Sequence, residues 1–267
     1  MEYWVKTKAK YQMKLQTALI ALMLIPSLAA AQEPSDQALD ATQIVRDAVN
    51  HWRGVSSYTE MSMVIHRPDW ERTMTMRAWT KGEDQSLVRV INPAKDRGNG
   101  TLTDKDSMWS FSPKVNRVIK VPSSMMGQSW MGSDFSNKDV AKADDIIDQY
   151  DHSLLGVDEN AGITIYEIQS VPHEDAAVVW GREVMRIRAD KVVVEHKFYD
   201  QDDELVKELE SLEIGEMGGR TIAIRQRMHK IETPDEWTEV QVNSVDYEID
   251  IPDSTFTLSS LRNPRDM

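Results

Sequence analysis

The chain reads as mainly β: one curled antiparallel sheet of about eleven strands, an incomplete β-barrel, covered by two or so helices. Three observations carry this. Apolar and polar residues alternate with period two over most of the chain after residue 58. Helical spacing appears in two places. No repeat, low-complexity run or Gly/Ser linker divides the chain, so residues 32–267, about 236 residues, form a single domain. A sheet of eleven strands must curl, close or split into layers. With two helices to accommodate, curling around them is economical. The dry concave face then encloses a cavity.

The elements follow in order. Ile44, Val45, Ala48, Val49 and Trp52 mark an amphipathic helix over 41–52, capped by Asp40 or Thr42. Met61, Met63 and Ile65 share one side of a strand, opposite Glu60, Ser62 and His66. Met74 and Met76 alternate with Thr73, Thr75 and Arg77. Strands follow at 85–91, ending at Asn92-Pro93, then at 101–103, 108–111 and 115–121. Val140, Ala143, Ile146, Ile147 and Tyr150 predict a second helix over 139–150. Further strands are expected at 163–171, 183–189, 192–199, 205–214, 222–231 and 237–245. Met185 and Ile187 alternate with Arg186 and Arg188, the signature of a sheet with one dry and one wet face.

The N-terminus has the form of an export signal. Lys6, Lys8, Lys10 and Lys14 precede an apolar stretch from Leu15 to Leu28 that contains Pro26, and Ala29-Ala30-Ala31 supplies small residues for cleavage before Gln32. The stretch is shorter than the roughly 20 residues that span a bilayer. Translation from Met13 gives a more economical signal than translation from Met1. The chain has no Cys, so a lipid-anchored form and disulfides are excluded. The expected location is the periplasm of a Gram-negative bacterium. Residues 1–31 carry four Lys and one Glu, so the net charge moves from −13 for the whole chain to near −16 after cleavage. That charge excludes nucleic acid as a partner and fits a soluble monomer.

From Val121 to Ser133 the sequence Val-Pro-Ser-Ser-Met-Met-Gly-Gln-Ser-Trp-Met-Gly-Ser holds no charge, in a chain with 28% charged residues. It fits neither helix nor strand and reads as a mobile apolar loop. Such a patch plugs a cavity or meets an apolar ligand, and methionine adapts to both. Met125, Met126, Trp130, Met131 and Phe135 are therefore the expected cover. Met61, Met63, Ile65, Met74, Met76, Trp79, Met108, Trp109, Met185 and Ile187 are the expected lining, although alternating apolar strand residues are ordinarily core.

These patterns resemble the outer-membrane lipoprotein-sorting superfamily, the LolA/LolB-like proteins, and within it the subfamily often encoded beside RND-type exporters. The likeness rests on Trp70-Glu-Arg-Thr-Met-Thr-Met-Arg-Ala-Trp79-Thr, Pro93-Ala-Lys-Asp-Arg-Gly98-Asn-Gly-Thr-Leu102 and Trp109-Ser-Phe-Ser-Pro113. Arg117-Val-Ile-Lys-Val-Pro122 and Ser124-Met-Met-Gly-Gln-Ser-Trp-Met-Gly-Ser-Asp-Phe135 continue it. The resemblance implies an incomplete barrel with helices as a lid. It also implies a carrier of lipid or lipoprotein acyl chains across the periplasm, working with an inner-membrane RND-type exporter. The arginine that holds the lid of LolA itself has no counterpart that the sequence identifies.

Catalytic motifs are absent. The six His form no His-Glu-x-x-His pair, and without Cys there is no thiolate site, so neither a metal nor a cofactor is expected. Gly127-Gln-Ser129-Trp-Met-Gly132 has one residue too many for a nucleophile elbow. Asp144, Asp145 and Asp148 read as a solvated helix face, and Asp200 to Glu204 as an acidic turn outside EF-hand spacing. The protein is expected not to be an enzyme. The rivals to a carrier are a lipid- or lipoprotein-sensing adaptor of the same fold, a dedicated exporter subunit that passes a lipid to the outer membrane and, were the interior collapsed, a protein-interaction module.

Overall fold

The computed structural model describes residues 39–141, 144–176 and 178–263. The expected export signal and its cleavage point lie outside these described residues. Helix α1 (Ala41–Arg53) leads into strands β1 (Ser56–Arg67), β2 (Trp70–Lys81), β3 (Gln85–Asn92), β4 (Gly100–Asp104), β5 (Ser107–Ser112) and β6 (Arg117–Lys120). The apolar loop follows, with one 3-10 turn (Ser123–Met125), then short helices α2 (Asn137–Ala141) and α3 (Asp145–Asp148). Strands β7 (Tyr150–Asn160), β8 (Ile163–Pro172), β9 (Arg182–Arg188), β10 (Val193–Tyr199), β11 (Leu205–Met217), β12 (Arg220–Lys230) and β13 (Trp237–Tyr247) complete the sheet. A 3-10 turn (Asp253–Thr255) and α4 (Leu258–Arg262) end the described chain.

All thirteen strands form one antiparallel sheet in the order β6-β5-β4-β3-β2-β1-β13-β12-β11-β10-β9-β8-β7. It is curled and unclosed. One inner face runs through it from strand to strand, because partnered residues share a side. A single row reads Ile168, Met185, His196, Leu209, Met228, Thr238, Ile65 across seven strands. Met63 faces Met74, and Met61 faces Met76, which faces Val90. The edge strands β6 and β7 carry Arg117, Lys120, Asp151, Asp158 and Glu159, charges that discourage pairing with another chain.

Helix α1 lies on this face. Asp40 caps it by accepting from Gln43 N at 3.2 Å, and Gly54 ends it in the left-handed region at φ 69°. Val45, Ala48 and Ala41 are buried against Ile168, Met185 and Ile187. Its C-terminal end reaches the opposite side of the curl: Arg53 donates to Gly82 O and Gln85 O, and His51 Nε2 bonds Thr221 O at 2.8 Å. Trp52, expected on the apolar side, is largely exposed.

Strands β3 and β4 are buried on both faces, which explains their nearly unbroken run of buried residues. Val88, Val90 and Thr101 point into the curl. Leu87, Leu102 and Phe111 point outward, where Ile251, Phe256 and Leu261 of the C-terminal segment cover them. Buried Arg89 points the same way and donates to Ser260 O at 2.7 Å and Leu261 O at 3.3 Å, the free carbonyls at the end of α4. Gly100 leaves room for that helix: a Cβ there would sit 2.9 Å from Leu261 Cδ1.

Two expectations differ. Of the expected helix over 139–150, the described residues form α2 and α3, Ala143 lies outside them, and Tyr150 opens a strand instead. Ile146, Ile147 and Tyr150 are all buried in one cluster, so the spacing recorded burial, while pairing of Tyr150 with Pro172 took that residue into the sheet. Strand β7 went unread because its alternation is broken at Leu154/Gly156 by a bulge. Leu261→Ala is expected to cost about 2–5 kcal/mol, measured by urea unfolding, because the side chain is fully buried outside the curl.

Candidate functional site

The concave face carries two apolar clusters side by side. Under the loop lie Met63, Ile65, Met74, Met76 and Met108, with Met61 at their margin. Under α1 lie Met185 and Ile187 with Ile168, Ile146, Ile147 and Tyr150. The structure therefore brings eight of the ten expected lining residues to one face, in two groups. Trp79 and Trp109 go elsewhere: both point outward and pack beneath the C-terminal segment. Their parity forces this, since Trp79 is three residues from Met76 and Trp109 is next to Met108. The face is not an open cavity. α1 and the loop fill it with their own side chains.

Of the expected cover residues, Trp130 is 6% exposed and sits among Met63, Met74 and Met108 as core. Met126 and Met131 pack at its side, Phe135 is half-buried, and Met125 is 41% exposed. The segment folds as a small knot pinned to the sheet. Trp130 N donates to Phe135 O at 2.7 Å, and Ser129 and Ser136 form a bridge. Met131 at φ 53° and Gly132 at φ 81° make the reversal between them. The Trp130 indole N–H donates to Thr101 Oγ1 at 3.0 Å, satisfying the one polar atom of a buried ring.

Ion pairs fasten this knot to the sheet. Asp134 takes a two-pronged contact from Arg67, at 3.0 and 3.1 Å, and its Oδ2 accepts from Thr238 Oγ1 at 2.6 Å. Arg67 also meets Glu236 at 3.3 Å. Arg72 pairs with Asp96 at 3.0 Å and reaches Met131 O at 3.3 Å. Arg67 thus ties this segment to the sheet, and its partner is 67 residues away in sequence, beyond the reach of local pattern reading.

A polar group interrupts the apolar face between the two clusters. On β9, Glu183 is buried and takes Tyr150 Oη at 2.7 Å and His196 Nε2 at 2.7 Å. Burial and the Glu183 carboxylate push the Tyr150 hydroxyl far above its usual range. On β11, Lys207 is 4% exposed at its side chain and meets Asp139 Oδ2 at 2.5 Å. Its ammonium also lies 4.5 Å from the Phe198 ring centroid and 4.9 Å from that of Trp180. Asp139 is fixed from its own side by a reciprocal cap with Ser136, at 2.7 and 3.1 Å. Sequence reasoning passed over this group, yet a signal existed. Glu183 shares parity with Met185 and Ile187, and Lys207 with Leu205 and Leu209, so both are charges at dry-face positions.

At the other end, Glu83, Asp84, Asp144, Asp145 and Asp148 surround a cleft of about 140 Å³. This corrects the reading of Asp144 as part of a solvated face. Burial, opposed by Arg53 at 3.4 Å and reinforced by Glu83, pushes its carboxyl up to about 6. Among the described residues no three His, Cys, Asp or Glu are placed to share a metal ion.

Two outcomes are expected. Asp134→Ala should lower stability by about 2–3 kcal/mol and speed chymotrypsin cleavage within residues 121–136, as read by urea titration and peptide mapping. Asp144 has a folded-state pKa above its unfolded value of 3.8, so the folded protein holds the extra proton between pH 3.8 and about 6. Its contribution to stability is full below 3.8 and is lost as pH rises through 6. Asp144→Asn should therefore stabilise the protein by about 1–3 kcal/mol at neutral pH and leave it unchanged at pH 3.5.

Comparison with known proteins gives a consistent account. A family model described as "uncharacterized protein" matches residues 82–263. A DUF1329 family protein of Desulfovibrio piger is 26% identical, with a TM-score of 0.74 over 83% of this chain and 98% of that one. A putative outer membrane lipoprotein-sorting protein domain of Vibrio parahaemolyticus is 19% identical, with a TM-score of 0.74 over 84% and 98%. A LolA superfamily protein of Nitrosomonas europaea is 20% identical, with a TM-score of 0.70 over 83% and 99%. No curated protein matches. The chain thus belongs to the family whose model, described as an uncharacterized protein, matches residues 82–263, and it shares the open curled fold of these three solved structures.

Proposed function

We propose that the protein is a non-enzymatic periplasmic carrier that holds acyl chains of a lipid or lipoprotein and passes them toward the outer membrane. The observation that carries this reading is the pairing of a Met-rich apolar patch with a cover held by a few polar contacts. Each methylene buried there is worth about 0.8 kcal/mol, so a long chain competes with the cover for the face. Methionine suits a surface that repacks between the two. Among the described residues no helix is long and apolar enough to cross a membrane. Residues 1–31 are then the export signal, residues 32–267 one monomeric lipid-binding domain, and an inner-membrane RND-type exporter the donor or acceptor. An adaptor that senses lipid or lipoprotein is the second reading. The filled interior favours, by contrast, a protein-interaction module of the same fold.

The test is native mass spectrometry with lipid extraction on protein purified from its own periplasm. A mass beginning at Gln32 and a co-purifying acyl species are expected. A reproducibly empty protein that fails to take up a fluorescent fatty acid overturns the carrier and leaves the adaptor. The double change Met125→Ala and Met126→Ala should slow transfer of that probe to vesicles several-fold with little change in melting temperature. Trp130→Ala differs: it removes core and should cost about 3–5 kcal/mol.

A further inference from the structure

We infer that the cargo is an amphiphile with an anionic head, a carboxylate or phosphate, which replaces Asp139 at Lys207. The inference rests on the carrier reading and adds the chemistry of the head. Lys207 belongs to the sheet, whereas Asp139 belongs to the cover. α2 and the apolar knot are one piece: Lys138 N donates to Met126 O at 2.9 Å, Asn137 N to Gln128 O at 2.9 Å and Asn137 Nδ2 to Met125 O at 2.9 Å. When the knot leaves the Met-rich face to admit a chain, Asp139 leaves with it.

The ammonium is then a buried cation without its counter-ion, between Phe198 and Trp180, a costly state. Glu183 does not stand in for Asp139. It is two strands away, roughly 10 Å at about 4.8 Å per strand, and both its oxygens are engaged by Tyr150 and His196. Arg67 differs from Lys207: when Asp134 leaves, Arg67 keeps Glu236 and the carbonyls of His66 and Trp237. Opening therefore creates one specific vacancy for negative charge, at Lys207.

The position of that vacancy fits an amphiphile. Lys207 lies two residues inside the start of β11 and pairs with Lys230 at the end of β12. This is the same end of the sheet as Arg67, Trp237 and Asp134. A head at Lys207 sits just within the rim, and its tail runs along the concave face toward Met63, Met74 and Met76. A neutral lipid gains the apolar contacts but leaves Lys207 unpaired.

The experiment compares binding of hexadecanoic acid, its methyl ester and palmitoyl lysophosphatidic acid, each below its micelle concentration at pH 8. The wild type is expected to bind the acid and the phosphate lipid at least tenfold more tightly than the ester. Inorganic phosphate in large excess should compete with neither. Lys207→Met should bind all three equally, with the ester bound as in the wild type. Asp139→Asn, which removes the competing carboxylate, should tighten the two anions several-fold and leave the ester unchanged. Equal binding of acid and ester by the wild type, discrimination surviving in Lys207→Met, or competition by inorganic phosphate overturns the inference while the carrier stands. Binding of none of the three overturns the carrier reading as well.

Discussion

A sheet of thirteen strands that curls without closing has one dry face and no second sheet to pack it against. Everything else in the structure answers that requirement. Helix α1 covers the part over β7 to β9. The uncharged segment and α2 cover the part over β1 to β5. The C-terminal segment backs β3 and β4 from outside. These covers are tied to the sheet by side chains: Arg67 and Thr238 on Asp134, Lys207 on Asp139, Arg53 on the β2–β3 turn. Apolar burial gives the covers their stability, and the polar ties give them their register, since hydrophobic contact alone is non-directional.

The strand pattern was legible because alternation encodes one dry face. Met61, Met63, Met74 and Met76 meet across β1 and β2 in the pairs that parity demands. The same rule, applied strictly, excludes Trp79 and Trp109 from the interior. An aromatic strand residue invites placement in a cavity, but its parity decides. What local pattern could not supply was anything fixed by distant partners. Asp134 looks like a loop polar residue until Arg67 and Thr238 are placed beside it. Asp144 looks solvated until Arg53 and the β2–β3 turn close over it. Tyr150 carries the spacing of a helix, yet ends in the sheet with its hydroxyl on Glu183.

Charges at dry positions hold information of another kind. Glu183 stands in line with Met185 and Ile187 on β9, and Lys207 with Leu209 on β11. Buried ions seldom add stability over well-packed apolar residues, so their place in this interior calls for a role other than stability. The partition is also unequal. Glu183 finds both partners within the sheet and in Tyr150, a sheet residue, while Lys207 depends on the cover. Closing the protein satisfies Lys207, and opening it makes a site. Cover and recognition group are in this sense the same device.

The two unpaired edges have a mechanical consequence. In a closed barrel, strand number and shear fix the radius, and widening the interior breaks hydrogen bonds. Here β6 and β7 end the sheet without meeting in its ladder, so no ring of bonds sets the circumference. Small changes of twist between neighbouring strands add up along thirteen strands and open the gap like the jaws of a spring clip, with each ladder kept whole. The circumference can then change without the loss of any ladder bond.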